Sequence, residues 1–143
     1  NWIDTIQCHL EDIISEEDID PSEALKSKRR IYKKKKKRTD LVEQIDFWFY
    51  KNFETITPKP DARINSETPA WCIDRFSIVS LKIYNMSIEA SSADASEEHQ
   101  LQCSQKLNVL LEQKKDLSTA IDQLLSDIEK GEVKMKLYKQ MKM

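Results

Sequence analysis

Apolar residues recur every three or four positions along most of this chain, which is the spacing of α-helices with one buried face. Ile3, Ile6 and Leu10 follow this spacing, so a first helix is already under way at Trp2. The acidic stretch 16–20 then interrupts the pattern. The pattern as a whole predicts four main helices, over 2–15, 21–53, 68–88 and between predicted caps at Asp94 and Gly131.

The second and third predicted helices begin with the same kind of signal. Asp20 and Thr68 can each accept hydrogen bonds from the free amide groups of a first helical turn. Pro21 and Pro69 follow them at the first helical position, where a residue without an N–H group loses no hydrogen bond. Glu23 completes a capping box in the second helix. Both helix starts are therefore predicted from local sequence.

The fourth predicted helix carries an apolar stripe whose steps alternate between four and three residues, as in a coiled-coil seam. Asp94 and Glu97 can form a capping box at its start, and Gly131 is the expected cap at its end. Through such a seam the chain can bind a protein partner or form a homo-oligomer. The seam consists of Cys103, Leu107, Leu110, Lys114, Leu117, Ile121, Leu124 and Ile128.

The middle of the second helix leaves two interpretations open, because no apolar residue occurs between Lys33 and Asp40. One long helix could expose its middle to solvent, or two helices could meet near Arg38. Lysine is a good helix former, so we predict one long helix that ends before Thr57-Pro58.

Together these elements predict an all-α fold, an antiparallel helical bundle of about four main helices with a short C-terminal helix over 132–143. The helix from Thr68 to Ile88 should lie at its centre, because its apolar arc is too broad for one neighbour. The length of 143 residues indicates a single helical domain over 1–143. Because the chain opens at Asn1 in mid-pattern and without a methionine, we expect an N-terminal segment to be missing.

Composition excludes several classes of protein. One glycine and four prolines are too few for the tight turns of an all-β fold. No apolar run approaches the roughly 20 residues that cross a bilayer, so no membrane span is predicted. Three widely spaced cysteines without a CxxC pair indicate reduced thiols and a cytoplasmic protein.

The segment 26–38 is strongly basic, with Lys or Arg at nearly every position. Such a run could bind phosphate groups, or it could be the solvated face of a helix. The preceding segment 11–23 is acidic and could neutralise it, and Tyr32 is its one aromatic residue. With a formal net charge of −2 for the chain, we do not expect nucleic acid as a partner.

Three charged residues of the third helix, Asp74, Arg75 and Lys82, stand out because that helix is otherwise largely apolar. Charged groups on a buried helix need partners. They could form an internal network with neighbouring helices, or they could line a pocket for an anionic small molecule. The free amide groups and the positive dipole at the start of the helix would also favour an anion.

No metal site and no cofactor are predicted. Cys8-His9, and His99 with Cys103, lack the four converging ligands that tetrahedral zinc requires. A phosphate-binding loop needs several glycines, and Gly131 is the one glycine in the chain.

Several segments resemble the signature of an uncharacterised bacterial family, domain of unknown function 4254. The central ones are Asn-Ser-Glu-Thr-Pro at 65–69, Ile-Asp-Arg-Phe-Ser-Ile at 73–78 and Leu-Lys-Ile-Tyr-Asn-Met at 81–86. The tail at 136–143 resembles the C-terminal signature of the family, and the opening at 1–5 resembles an internal stretch. The lysine run is not part of the family's pattern.

The resemblance implies a helical bacterial protein without an assigned activity, in a genomic context of sugar transfer and cell-surface polysaccharide. Two hypotheses follow. The chain is a non-catalytic helical interaction module, or it binds or acts on an anionic sugar-phosphate, nucleotide or nucleotide-sugar. The residues that would bind such a ligand are Asn65, Ser66, Glu67, Asp74, Arg75, Lys82 and Lys139.

Overall fold

A computed structural model describes residues 2–16 and 18–139 of the chain, with side chains described from Thr5 onward. The fold is an all-α helical bundle, as the apolar spacing predicts. It also contains one very short pair of strands, which was not predicted. Its elements in chain order are α1 (Trp2–Ile14), α2 (Pro21–Phe53), β1 (Arg63–Ile64), α3 (Pro69–Ala90), α4 (Glu97–Glu129) and β2 (Val133–Lys134).

The second helix is one continuous helix of 33 residues, so the prediction of a single long helix is confirmed. At a rise of about 1.5 Å per residue it is about 50 Å long. The cap predicted at Asp20 and the position predicted for Pro21 are also confirmed. The Asp20 carboxylate accepts the amide groups of Ser22 at 3.0 Å and Glu23 at 3.3 Å, and Pro21 is the first helical residue.

The start predicted for α4 is wrong by two residues. Ser96, and not Asp94, is the N-cap, because its hydroxyl accepts the His99 amide at 3.3 Å. Asp94 lies in the turn before the helix. Ser and Asp are comparable N-cap residues, so the choice depends on where the turn from α3 ends.

The predicted cap at the end of α4 is confirmed. Gly131 has a φ of 73° and directly follows the last helical residues. Its amide donates to the Ile128 carbonyl at 3.0 Å, and the Glu132 amide donates to the Asp127 carbonyl at 2.8 Å. This pair of bonds is the Schellman arrangement, which satisfies carbonyl groups that the helix end leaves free.

The short C-terminal helix predicted over 132–143 is wrong for the part that the structure describes. Val133 and Lys134 form β2, which pairs in parallel with Arg63 and Ile64 of β1, and the chain is not helical from there to Lys139. Val133 is buried against Leu124 and Ile128 of α4. Burial of this side chain beside the helix end outweighs the local preference for a helical turn. Residues 140–143 lie outside the described residues.

The third helix has neighbours on two roughly opposite sides. Cys72 packs against the core cluster of α4, and Phe76 lies under the Lys114 ammonium of α4. Ala70 and Asp74 instead make hydrogen bonds with α2. At about 100° per residue, these two pairs are about 160° apart around the helix. The predicted central position of this helix is therefore confirmed, with α4 on one side and α1 and α2 on the other.

Gly131→Ala should lower the free energy of unfolding by about 1–3 kcal/mol, because a residue with a Cβ is strained at this positive φ. A Cβ at this position would also lie 3.0 Å from the Thr57 carbonyl oxygen. Urea unfolding should show the loss, and Lys130→Ala at the exposed neighbouring position should be close to neutral. Equal stability of both variants would contradict this account of the helix end.

Candidate functional site

Asp74 is buried in α3 and forms a two-pronged ion pair with Arg38 of α2. Arg38 Nε donates to Asp74 Oδ1 at 2.6 Å, and Nη2 donates to Oδ2 at 2.6 Å. The planar guanidinium matches both carboxylate oxygens in this geometry. Only 9% of Asp74 is exposed, so without Arg38 its charge would be costly to bury. Asp74 thus joins α3 to α2 and faces away from the exposed side of α3.

Arg75 lies on the exposed side of α3 and pairs with Glu67, in the segment before the helix. Its Nε donates to Glu67 Oε1 at 2.6 Å and to Oε2 at 2.8 Å, and its Nη2 forms an ion pair with Oε1. The hydrogen bonds and charge of Glu67 raise the pKa of the guanidinium above its ordinary value. An anionic ligand at Arg75 would therefore have to displace a carboxylate.

Asp46 of α2 holds the first turn of α3. Its Oδ2 accepts the Thr68 hydroxyl at 2.5 Å, and its Oδ1 accepts the Ala70 amide at 3.1 Å. Thr68 Oγ1 in turn accepts the Trp71 amide at 3.4 Å. Burial raises the pKa of Asp46 above its ordinary value, although the bonds from Thr68 and Ala70 lower it in part. The protein itself therefore uses first-turn amide groups that could otherwise bind an anion.

The segment before α3 meets the C-terminal tail at a cavity of about 70 Å³. The Asn65 amide group donates to the Glu67 carbonyl at 2.7 Å and so shapes the turn. A cavity of this size has room for about two water molecules, not for a sugar phosphate. The polar residues around it are Asn65, Ser66, Glu67, Thr68, Lys134, Lys136 and Tyr138.

Lys82 lies at an open groove of about 620 Å³ between α3 and α4. Among the described residues, no hydrogen bond or ion pair joins Lys82 to another side chain. Lys82 and Asn85 also line a cavity of about 290 Å³ that Cys8 and Arg38 border from α1 and α2. The groove itself is lined by Lys82, Asn85 and Met86 of α3 and by Gln105, Lys106, Val109 and Leu110 of α4.

Lys139 lies away from the other predicted residues. It borders a cavity of about 400 Å³ between the tail and α2, together with Asp40, Glu43, Phe47 and Tyr138. Tyr138 is shared with the small cavity before α3, so the tail passes between the two.

The seven predicted ligand-binding residues thus fall into four places. Asn65, Ser66 and Glu67 lie before α3, with Arg75 of α3 paired to Glu67. Asp74 faces α2, Lys82 borders the groove, and Lys139 lies at the tail. Sequence reasoning missed Arg38, because the lysine run hid it. The spacing of residues could have identified it. Arg38 lies four residues before the buried Val42 and Asp46 four residues after it, so all three lie on one face of α2.

The lysine run lies mostly on the outside of α2. Lys33, Lys36 and Lys37 are exposed, whereas Arg38 turns inward. Glu11 of α1 approaches Lys35 at 3.5 Å, which is part of the neutralisation that the acidic segment predicts. In the described part of the chain, no helix has the length and hydropathy needed to cross a membrane.

Two of the thiols, those of Cys8 and Cys72, do not resemble activated nucleophiles. Burial raises the pKa of Cys8 and Cys72 above their ordinary values, and nearby carboxylates raise them further. A thiol with a raised pKa stays protonated at neutral pH, whereas nucleophilic catalysis needs the thiolate. Within residues 2–16 and 18–139, no group of three or more His, Cys, Asp or Glu side chains is placed to hold a metal ion.

The chain belongs to the family described as Protein of unknown function (DUF4254), which it matches over residues 1–137. Neither a curated protein nor a solved structure matches it. The family description assigns no activity, so the function has to be argued from the geometry of this chain.

Loss of one member of the Arg38–Asp74 pair should cost more than loss of both. Asp74→Ala should lower the free energy of unfolding by about 3–5 kcal/mol, because Arg38 then keeps a charge without its carboxylate. Arg38→Met combined with Asp74→Leu should cost about 1 kcal/mol or less. Urea unfolding of the single and double variants checks this, and strictly additive costs would contradict it.

Asp46→Asn should change how stability depends on pH. A raised folded pKa means that the folded chain binds the Asp46 proton more tightly than the unfolded chain. This contribution to stability is present below the unfolded pKa of about 3.9 and is lost as pH rises through the folded pKa. The wild-type free energy of unfolding should therefore fall relative to that of Asp46→Asn as pH rises from about 4. Parallel pH profiles of the two proteins would refute the assignment.

Proposed function

We propose that this chain is a non-catalytic helical interaction module of the bacterial cytoplasm that works as an assembly of two copies. The observation that carries the proposal is its accessible surface of 10600 Å². A compact monomer of 16.8 kDa exposes about 7,700 Å². The excess of about 2,900 Å² is larger than the roughly 800 Å² that each partner buries in a standard interface.

Most residues of α4 are exposed. Its main packing neighbours are α3 and the short strand β2. Of the predicted seam, only Cys103, Leu124 and Ile128 are buried, and they lie towards its two ends. Leu107 and Leu117, in the middle of the seam, stay half-buried. The apolar stripe of α4 is thus covered by one helix, α3. In a helical bundle, a stripe of this width packs against two or more helices.

The α3–α4 pair has two exposed sides, and we assign the side away from Lys82 to a second copy. At about 100° per residue, Ile73 and Tyr84 of α3 and Leu107 and Leu111 of α4 point to the same side. We call these four residues the open face. The groove with Lys82 lies on the opposite side. Tyr84 is 63% and Leu111 is 48% exposed, which is unusual for large apolar side chains that share one surface.

A second α3–α4 pair laid on the open face would complete a four-helix bundle. The same face would be used by both copies, as in the twofold-symmetric dimers that are commonest among oligomers. Ser80 and Ser104 lie between the larger side chains of this side, and small residues allow two helical layers to approach closely. The three free thiols support a reducing compartment such as the cytoplasm.

Binding of an anionic sugar-phosphate or nucleotide has less support. Asp74 is used by Arg38, Arg75 by Glu67, and amide groups of the first turn of α3 by Asp46 and Thr68. Two predicted cations are left: Lys139 lies beside the carboxylates Asp40 and Glu43, whereas Lys82 borders the groove and is better placed for an anion.

In solution the chain should have about twice its monomer mass of 16.8 kDa in light scattering coupled to size exclusion. The double variant Tyr84→Lys/Leu111→Lys should be monomeric, because charges on both copies would meet at the interface. Both side chains are exposed, so the helical circular dichroism signal should be retained.

Val109→Lys is the matched control for this test. Val109 is an apolar residue of the same helix as Leu111 and is at least as exposed as either mutated residue, but it lines the groove on the other side. It should remain dimeric. A monomeric wild type at about 100 μM, well above the Kd values of specific interfaces, would refute the proposal, and so would dissociation of the Val109→Lys control.

A further inference from the structure

We infer that the groove between α3 and α4 is a binding site for an amphiphilic anion, a molecule with an alkyl chain and a carboxylate or phosphate head group. This goes beyond the proposed assembly of two copies, because the groove lies on the opposite side of the α3–α4 pair from the open face. It also names a different ligand class from the sugar phosphates considered above.

The size of the groove suits a small molecule. Its volume of about 620 Å³ falls within the roughly 300–1,000 Å³ of ordinary ligand sites. Two helices form its walls over about one turn each. The Arg38–Asp74 pair holds α3 against α2 about two turns before Lys82, and α4 packs on α3.

The floor of the groove is apolar. Met86 of α3 and Val109 and Leu110 of α4 contribute their side chains to it. Val109 is 65% exposed, so an occupant would remove a large apolar side chain from water. The alkyl stems of the two lysines add to this surface. Covering this apolar surface with an alkyl chain is favourable because it removes apolar area from water. The same surface has few groups that could bind the hydroxyl groups of a sugar.

Two cations and two amide groups border the apolar floor. Lys82 and Asn85 come from α3, and Gln105 and Lys106 come from α4. No ion pair or hydrogen bond joins any of these four side chains to another residue within 2–16 and 18–139. This separates Lys82 from Arg75 and Arg38, whose guanidinium groups are already paired with carboxylates.

Two neighbouring cations of like charge favour an anion between them, and amide groups can donate hydrogen bonds to the same head group. Glu11 of α1 is a carboxylate that borders the neighbouring cavity together with Lys82, and it is paired with Lys35 of α2 at 3.5 Å. The groove therefore combines an apolar floor with a positively charged border, which is the chemistry of an amphiphilic anion.

Titration calorimetry with dodecanoate and with dodecyl phosphate, each below its micelle concentration, tests the inference on the full chain. We expect saturable binding at one site per chain for at least one of them, and the comparison identifies the preferred head group. Dodecanol should bind more weakly, because it has the chain without the charge. Absence of binding by both anions would refute the inference.

The variant Lys82→Gln/Lys106→Gln should raise the Kd of the preferred anion by about tenfold or more, since it removes both charge-assisted contacts. The Kd of dodecanol should not change. Both lysines are exposed, so folding should be unaffected. Lys36→Gln/Lys37→Gln removes two exposed lysines of α2 and is the matched control. An equal loss in this control would show that the lysine run attracts the anion, and would overturn the inference.

Two further measurements distinguish an amphiphile site from a simple anion site and from an interface between copies. Inorganic phosphate and acetate should fail to compete with dodecanoate at tenfold higher concentration, and effective competition would show a simple anion site in place of an amphiphile site. The mass of Lys82→Gln/Lys106→Gln in light scattering should equal that of the wild type. A change in mass would place these lysines in the interface between copies and would overturn the assignment of a separate groove.

Discussion

The fold depends on one constraint, which is that α3 needs neighbours on two opposite sides. Its Cys72–Phe76 side takes α4, and its Ala70–Asp74 side takes α2. The second contact is polar, because Arg38 and Asp46 of α2 hold a carboxylate and a helix start of α3. Such contacts fix the register of two helices more narrowly than apolar packing does, since each donor must meet its own acceptor. The positions of α1 and α4 follow from this central alignment.

The parts of the fold that sequence predicted well are those governed by local physics. Asp20-Pro21 and Thr68-Pro69 determine helix starts through the geometry of a single turn, and Gly131 determines an end through its positive φ. The helix predicted over the tail was wrong because the structure there depends on a contact between residues that are distant in sequence. The residues around Val133 predict a helix, but in the structure Val133 is buried beside the end of α4. No short window of sequence contains that neighbour.

The candidate site was harder to predict because its outcome depends on pairing between distant residues. Asp74, Arg75 and Lys82 look equivalent in sequence, as charged residues of an apolar helix. The structure separates them through partners that lie 36 positions away for Asp74 and eight positions away for Arg75. Arg38 was invisible within a run of cations, although its spacing from Val42 places it on the buried face of α2. Periodicity gives the face of a residue, but not the partner that it meets there.

This separation decides which surfaces remain for function. A charged residue that is paired inside the fold helps to fix the register of the packed helices. A ligand can bind such a residue only by breaking the pair, which is costly when the pair is buried. Asp74 is paired with Arg38 in this way. Arg75 is paired with Glu67, but this pair is more exposed to solvent and is easier to break. Within the described residues Lys82 has no such partner, and α4 places Lys106 across the same groove. Function on this fold is therefore expected along α4, where we propose that one side binds a second copy and that the two lysines beside the apolar floor of the other side bind an anion.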